Sequence, residues 1–304
     1  IDNLLWLAQK GEKNHFYTQY GLDLKNSSSV DYIGFWEFAA LRNSYNQVLR
    51  FDNSVGILRD KFLFYKYMAM NHLNVPEVFA IASDGVLYDV FFSSENIRML
   101  EQEKDYFVKD VAGECASFVK HIKDFDHLQT IKPLMRKGKF IFQRKIIQHQ
   151  EMNRLNPNAV NTIRIVTIND GTNTYLFAAI LRIGTKKSGC ADNTSAGGIA
   201  LGIHKDGSLF EFGMQKPQFG TLVSVHPDTG VVFKDFKIPY YEDAVKLVCQ
   251  AHTFFYNVRS IGWDVAISEL GPVIIEGNDN WEITSIQAIY GGKKKELINI
   301  MGCC

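Results

Sequence analysis

Long hydrophobic runs are missing from this 304-residue chain. No stretch of about 18 uncharged apolar residues occurs, so no transmembrane helix is expected. Residues 1–10 lack the basic start and apolar block of a signal peptide. An excess of charge is missing too: Lys+Arg and Asp+Glu number 33 each. A neutral chain is a poor general binder of nucleic acid or anionic membrane, although a local basic pocket remains open to it. The five cysteines include no CxxC pair, and no Cys/His spacing suits zinc, so a reducing cytoplasm is the expected setting. Cys303-Cys304 has no basic cluster beside it of the kind that accompanies a lipid anchor. There is also no GxxxxGK[ST], GxGxxG, HRD or DFG set, HExxH or GxSxG. P-loop, Rossmann, protein-kinase, zincin and α/β-hydrolase chemistry therefore have no support.

What is present is an ordinary globular balance, 46% apolar and 22% charged, in a chain long enough for two lobes. Residues 1–60 read as helical: Phe38, Leu41, Tyr45, Val48 and Leu49 form an amphipathic stripe over 35–51. A second helix is expected over 60–73. The period then changes. Ser83-Asp84-Gly85 and Asn169-Asp170-Gly171 each separate two apolar runs, the pattern of a β-hairpin. Ser93 or Ser94 would cap a short helix through 104. Strands are expected at 106–111, 139–148, 199–204 and 209–212, and a helix over 240–257. The whole reads as a helical N-terminal part followed by an α+β remainder.

The last hairpin carries the strongest chemistry. With its turn centred on Leu270, and Gly271 in the left-handed position, Asp264 falls opposite Glu276 and Gly262 opposite Asn278. Asp264, Glu276 and Asn278 then share one face, and Val265, Ile267, Val273 and Ile275 share the other. Facing carboxylates with Cβ atoms about 5 Å apart repel unless a cation lies between them. Two carboxylates and an amide oxygen are hard donors suited to Mg²⁺; a solvated face with incidental acids is the alternative. Lys61 at a helix start and Lys109 near a strand end are the candidate phosphate ligands. His252, on an apolar helix face, reads as a hydrogen-bonded core histidine. Asp192, Asn193, Ser195, Gly197 and Gly198 make a polar loop suited to a carboxylate or sugar, or else a plain surface loop. His226 sits in a turn as a further candidate contact.

The order Asp60-Lys61, Phe107-Val108-Lys109 with a small-residue loop, and Asp264 followed by Glu276-x-Asn278 resembles an ATP-grasp enzyme. The stretches Val160-Asn161-Thr162-Ile163-Arg164, Asp192 to Gly198, His226-Pro227-Asp228-Thr229-Gly230 and Gly262-Trp263-Asp264 resemble one branch, the sugar-transfer-associated ATP-grasp proteins. The resemblance spans roughly residues 58–290. It implies an α+β ATP-grasp fold: a helical segment at 1–58, a small lobe at 59–142 and a large lobe at 143–304, with ATP held between the lobes. It implies that Lys61 and Lys109 contact the phosphates and that the loop from Gly113 closes over them. Gln143, Lys145 and Ile146 would read the adenine in the connector between lobes, and Glu151 the ribose. Asp264, Glu276 and Asn278 would hold Mg²⁺, while Arg164 and Arg182 would neutralise the γ-phosphate and a developing acyl phosphate. The implied reaction joins a small carboxylate to an amine, sugar-linked in this branch, through an acyl phosphate. A phosphotransferase and a non-catalytic nucleotide-binding partner of a glycosyltransferase are the alternatives. A helical segment before the grasp, and a single glycine after Lys109, depart from the wider superfamily.

Overall fold

The computed structural model describes residues 2–24, 28–46, 54–90, 103–113, 118–189, 192, 194–216 and 222–301. Its strands, in chain order, are β1 (Val78–Ser83), β2 (Val86–Asp89), β3 (Tyr106–Asp110), β4 (Val119–Ile122), β5 (Lys139–Arg144), β6 (Thr162–Asn169), β7 (Thr174–Ile183), β8 (Ile199–Ile203), β9 (Leu209–Met214), β10 (Leu222–Val223), β11 (Ser260–Ser268) and β12 (Gly271–Asn278). They form a five-stranded sheet, β2-β1-β5-β3-β4, and a seven-stranded sheet, β10-β9-β8-β7-β6-β11-β12. The chain divides into two compact units, one of residues 1–52, 148–272 and 277–304, the other of residues 53–147 and 273–276. No helix among the described residues is long and apolar enough to cross a membrane. The α+β architecture expected from the sequence, with helices at the N-terminus, is the one observed.

The smaller unit is an antiparallel sheet with apolar residues on both faces. Strand alternation puts Tyr106, Val108 and Phe142 into one cluster with Phe79, Leu128 and Phe140. Val78, Ile81 and Ile141 pack instead with Phe62 and Tyr65. Those two aromatics come from the helix Lys61–Met70. Asp60 caps that helix, its carboxylate accepting from the amides of Phe62 and Leu63 at 2.9 Å each. The expected helix over 60–73 is this one, and the expected hairpin is β1–β2. The helix expected after Ser93 lies outside the described residues, apart from its last two positions, 103 and 104, which are not helical.

In the larger unit, strands β10 to β11 pair antiparallel throughout. One face of this sheet, through Val166, Ile168, Ala178, Ile180 and Ala200, is covered by Trp6, Phe16, Tyr20, Phe38 and Tyr45 of the N-terminal segment and by Trp281, Ile283 and Leu297. The amphipathic helix expected over 35–51 is described as Phe35–Asn46, and Phe38 stacks edge-on against Trp281 at 4.8 Å. Residues 12–24 and 28–34 fold largely into turns and irregular segments rather than helix, held by the stacked rings of Phe16, Tyr20 and Tyr32. The helix Tyr241–Thr253 packs against β6, β7 and β11. There His252 is fully buried in a directional chain. Trp263 Nε1–H donates to Thr167 Oγ1 at 2.7 Å, Thr167 pairs with His252 Nδ1 at 2.6 Å, and Nε2 pairs with the Val258 carbonyl at 2.6 Å. The core reading of His252 holds.

Candidate functional site

The smaller unit has a pocket lined by Lys61, Lys109, Gln143 and Glu276, with Phe64, Tyr65, Ile141 and Ile275 among its walls. Each is placed by an element already described. Lys61 opens its helix, and its amide donates to the Val111 carbonyl at 3.0 Å. Its ammonium donates to the Gly113 carbonyl. Lys109 shares a sheet face with Phe107, which pairs with Gln143 across β3–β5. The Lys109 ammonium therefore reaches Gln143 Oε1 at 2.6 Å. Loss of water pulls the Lys109 pKa down to about 8; Glu276 opposes that fall and Lys61 adds to it. Two ammonium groups and one carboxylate leave a net positive pocket, the polarity that suits a phosphate.

The larger unit holds a second polar group, set by strand register. Asp264 of β11 lies directly opposite Arg164 of β6, and Thr162 of β6 directly opposite Arg182 of β7. Arg164 Nε is 2.5 Å from Asp264 Oδ1, and Nη2 is 3.1 Å from Oδ2. Arg182 Nη2 approaches the same Oδ2 at 2.7 Å. Arg182 also donates to Thr162 Oγ1 from Nε (3.1 Å) and Nη2 (2.8 Å). The Thr162 hydroxyl in turn donates to Asp192 Oδ2, which also accepts from the Thr162 amide at 3.1 Å. Burial pushes the Asp192 carboxyl up, against the pull of Arg182 and Thr162. Asp264 is 4% exposed. Gly262 must be a glycine, because a Cβ there would lie 2.6 Å from that of Trp281.

The other expected residues divide. The Asn278 amide reaches the Gly262 carbonyl at 3.5 Å. Gly271 has the expected positive φ of 115°, but the strands run to Ser268 and from Gly271, leaving Glu269 and Leu270 as the turn. Lys145 and Ile146 lie in the extended segment after β5, just before the chain passes from one unit to the other at 147–148. The Lys145 ammonium pairs with Asp105 at 2.9 Å. Glu151 pairs with Arg154 one turn along its helix. Gly197 and Gly198 are buried at the end of the polar loop, where the Gly197 carbonyl accepts from Thr185 Oγ1 at 2.9 Å. Ser195 lies in the short 3₁₀ turn Thr194–Ala196. Asn193 and residues 114–116 after Gly113 lie outside the described residues.

His226 is 1% exposed and both ring nitrogens face backbone. Nδ1 accepts from the amides of Asp228 and Thr229 at 3.3 Å each, so Nε2 carries the proton and donates to the Gly184 carbonyl at 3.0 Å. In this structure it fastens a turn. Two residues escaped the sequence reading. Thr162, two before Arg164 on the same strand face, was findable by period-2 alternation. Glu282 carried no sequence signal; burial pushes its pKa up to about 7, with Arg42 and Arg164 opposing. Among the described residues no three His, Cys, Asp or Glu side chains cluster as metal ligands.

Similar solved structures include the biotin carboxylase domain of Hydrogenobacter thermophilus 2-oxoglutarate carboxylase, solved with MgADP (TM-score 0.50, 13% identity, 89% of this chain and 53% of that one). Another is D-alanine–D-alanine ligase from Bacillus anthracis (TM-score 0.46, 12% identity, 82% and 68%). A third is N5-carboxyaminoimidazole synthase from Aspergillus clavatus (TM-score 0.47, 8% identity, 73% and 44%). At this identity the first likeness speaks for fold alone, and the chain spans about half the length of several of its structural neighbours. No curated protein sequence matches it. Residues 126–300, which include both arginines, Asp192 and the whole last hairpin, match the family model for sugar-transfer associated ATP-grasp proteins, and the chain belongs to that family.

Proposed function

We propose that this protein is an ATP-dependent ligase that joins a carboxylate to an amine through an acyl phosphate, in the assembly of a polysaccharide or glycoconjugate. The observation that carries the reading is the paired lysines: two ammonium groups, one stripped of water, in a pocket with a single carboxylate. In this reading Lys61 and Lys109 hold ATP phosphates, and Gln143, Lys145, Ile146 and Glu151 contact the nucleoside. Gly113 begins the loop over the phosphates. Asp264, Glu276 and Asn278 are hard oxygen donors that fit Mg²⁺, which would neutralise phosphate charge.

A carboxylate at neutral pH is a poor electrophile. Its oxygen attacks the γ-phosphorus, ADP leaves, and the acyl carbon now bears a good leaving group. The amine nitrogen attacks that carbon, phosphate departs and the amine gives up a proton. Arg164 and Arg182 present guanidinium groups to the charge that develops on the transferred phosphoryl group. Asp192, Asn193, Ser195, Gly197, Gly198 and His226 form or support the substrate side. The sugar-linked substrates follow the family's association with sugar transfer.

The experiment is ADP release with Mg²⁺, ATP and a panel of acidic and amino sugars. Release that needs both a carboxylate and an amine supports the reading. Release with a hydroxyl substrate alone and a stable phosphoester identifies a phosphotransferase, and ATP binding without turnover across the panel identifies a binding protein; either result replaces it.

A further inference from the structure

The polar loop at 184–198 is fastened at several of its described residues. Its first residue, Gly184, is held by His226, and the Lys186 amide donates to Asp228 Oδ2 at 2.8 Å. Its neck is closed by Thr185 Oγ1 donating to the Gly197 carbonyl. At Asp192 it is tied to β6 through the backbone amide and hydroxyl of Thr162. The Thr162 hydroxyl has one proton and two lone pairs. The hydroxyl donates to Asp192, and Arg182 Nε and Nη2 both donate to its oxygen.

We propose that Thr162 and Asp192 form a latch that aims Arg182, so that Asp192 is a positioning residue and not a substrate contact. Asp192 fixes the rotor of the hydroxyl by accepting its hydrogen bond. The lone pairs are then turned toward the guanidinium, which is held between Thr162 and Asp264. Without the acceptor at 192 the hydroxyl can rotate and the 3.8 Å ion pair between Asp192 and Arg182 Nε is lost, and without the hydroxyl Arg182 loses both hydrogen bonds that it donates to Thr162. Docking of the loop is thereby coupled to the direction of an arginine on the neighbouring strand. The kinetic consequence rests on the ligase reading; the coupling itself does not.

Steady-state kinetics of Thr162→Val, Asp192→Ala, the double variant and Thr162→Ser separate the roles. The latch predicts that Thr162→Val and Asp192→Ala each lower kcat by roughly 10- to 100-fold, the cost of misplacing a group by about 1 Å, with KM for the acceptor little changed. The double variant is no slower than the worse single variant, because both break one unit. Thr162→Ser, which keeps the hydroxyl, retains most of the activity. A raised acceptor KM with unchanged kcat in Asp192→Ala, alongside a near-normal Thr162→Val, overturns the latch and makes Asp192 a substrate contact. If the wild-type protein turns over no ATP, the ligase reading fails by itself. Urea unfolding of the same variants then decides: a double variant that loses less than the sum of the singles supports the latch, and additive losses overturn it.

Discussion

Arg164 and Asp264 face each other across neighbouring strands, and Arg164 donates two hydrogen bonds to the carboxylate, at 2.5 and 3.1 Å, in a setting nearly closed to water. Arg182 adds a third contact to the same carboxylate. Removing the acid leaves two guanidinium groups half-buried without it. Asp264→Ala should cost about 3–5 kcal/mol of stability. Urea denaturation at low and high salt measures it. A loss under about 1 kcal/mol, or one that vanishes in salt, would place the pair in the weak class of surface bridges.

Beside this pair, Gly262 leaves no room for a methyl group. A Cβ would lie 2.6 Å from Trp281 Cβ and 3.4 Å from Arg164 Cδ. Gly262→Ala is therefore expected to destabilise by about 1–3 kcal/mol through overpacking. A melting temperature equal to wild type would show that Trp281 yields freely.

The neutral, buried His252 makes the fold acid-sensitive. Burial lowers its pKa to about 4, from 6.5 in an exposed chain. The unfolded state then binds a proton that the folded state refuses. Stability is full above pH 6.5 and declines as pH falls toward 4, by roughly 3 kcal/mol at most. Denaturation midpoints at pH 7 and pH 4.5 should show the decline, and a variant of His252 should flatten it. An equal decline in both proteins would assign the acid sensitivity to other groups.

Much of this was legible in the sequence, for identifiable reasons. The hairpins at Asp84-Gly85 and Asp170-Gly171 announce themselves through turn residues: Asp84 has φ of 50°, and Asp170 Oδ1 accepts from the amides of Thr172 and Asn173 at 2.8 Å. Arg164 and Arg182 fell on adjacent strands because the turn residues at 169–171 mark the connection from β6 to β7, although a bulge at Val166 and Thr167 shifts the register between that turn and the arginines. The turns of residues 12–24 and 28–34 were hidden, since aromatic stacking rather than a helical stripe shapes them. The Thr162–Asp192 bond joins residues 30 apart in the chain, and no local pattern encodes such a pair. The sequence motif at His226 was visible, but its burial and backbone partners, which make it a fastening, were not.

Lys109 gives nucleotide affinity a pH dependence. Its ammonium form prevails below about pH 8 and is lost above it. If it holds phosphate, affinity is greatest below pH 8 and weakens as pH rises through that value, with the inflection moved upward by the bound anion. Lys109→Ala should remove the inflection. An unchanged profile in the variant would remove Lys109 from the phosphates.

The central claim is that Lys61 and Lys109 together hold a nucleotide triphosphate. Calorimetric titration of a non-hydrolysable ATP analogue with Mg²⁺ into wild type, Lys61→Ala and Lys109→Ala tests it most directly. The account predicts saturable binding by wild type and a loss of about 1.5–3 kcal/mol in each variant, the worth of a charge-assisted hydrogen bond. No binding by wild type, or equal affinity in all three proteins, would contradict it.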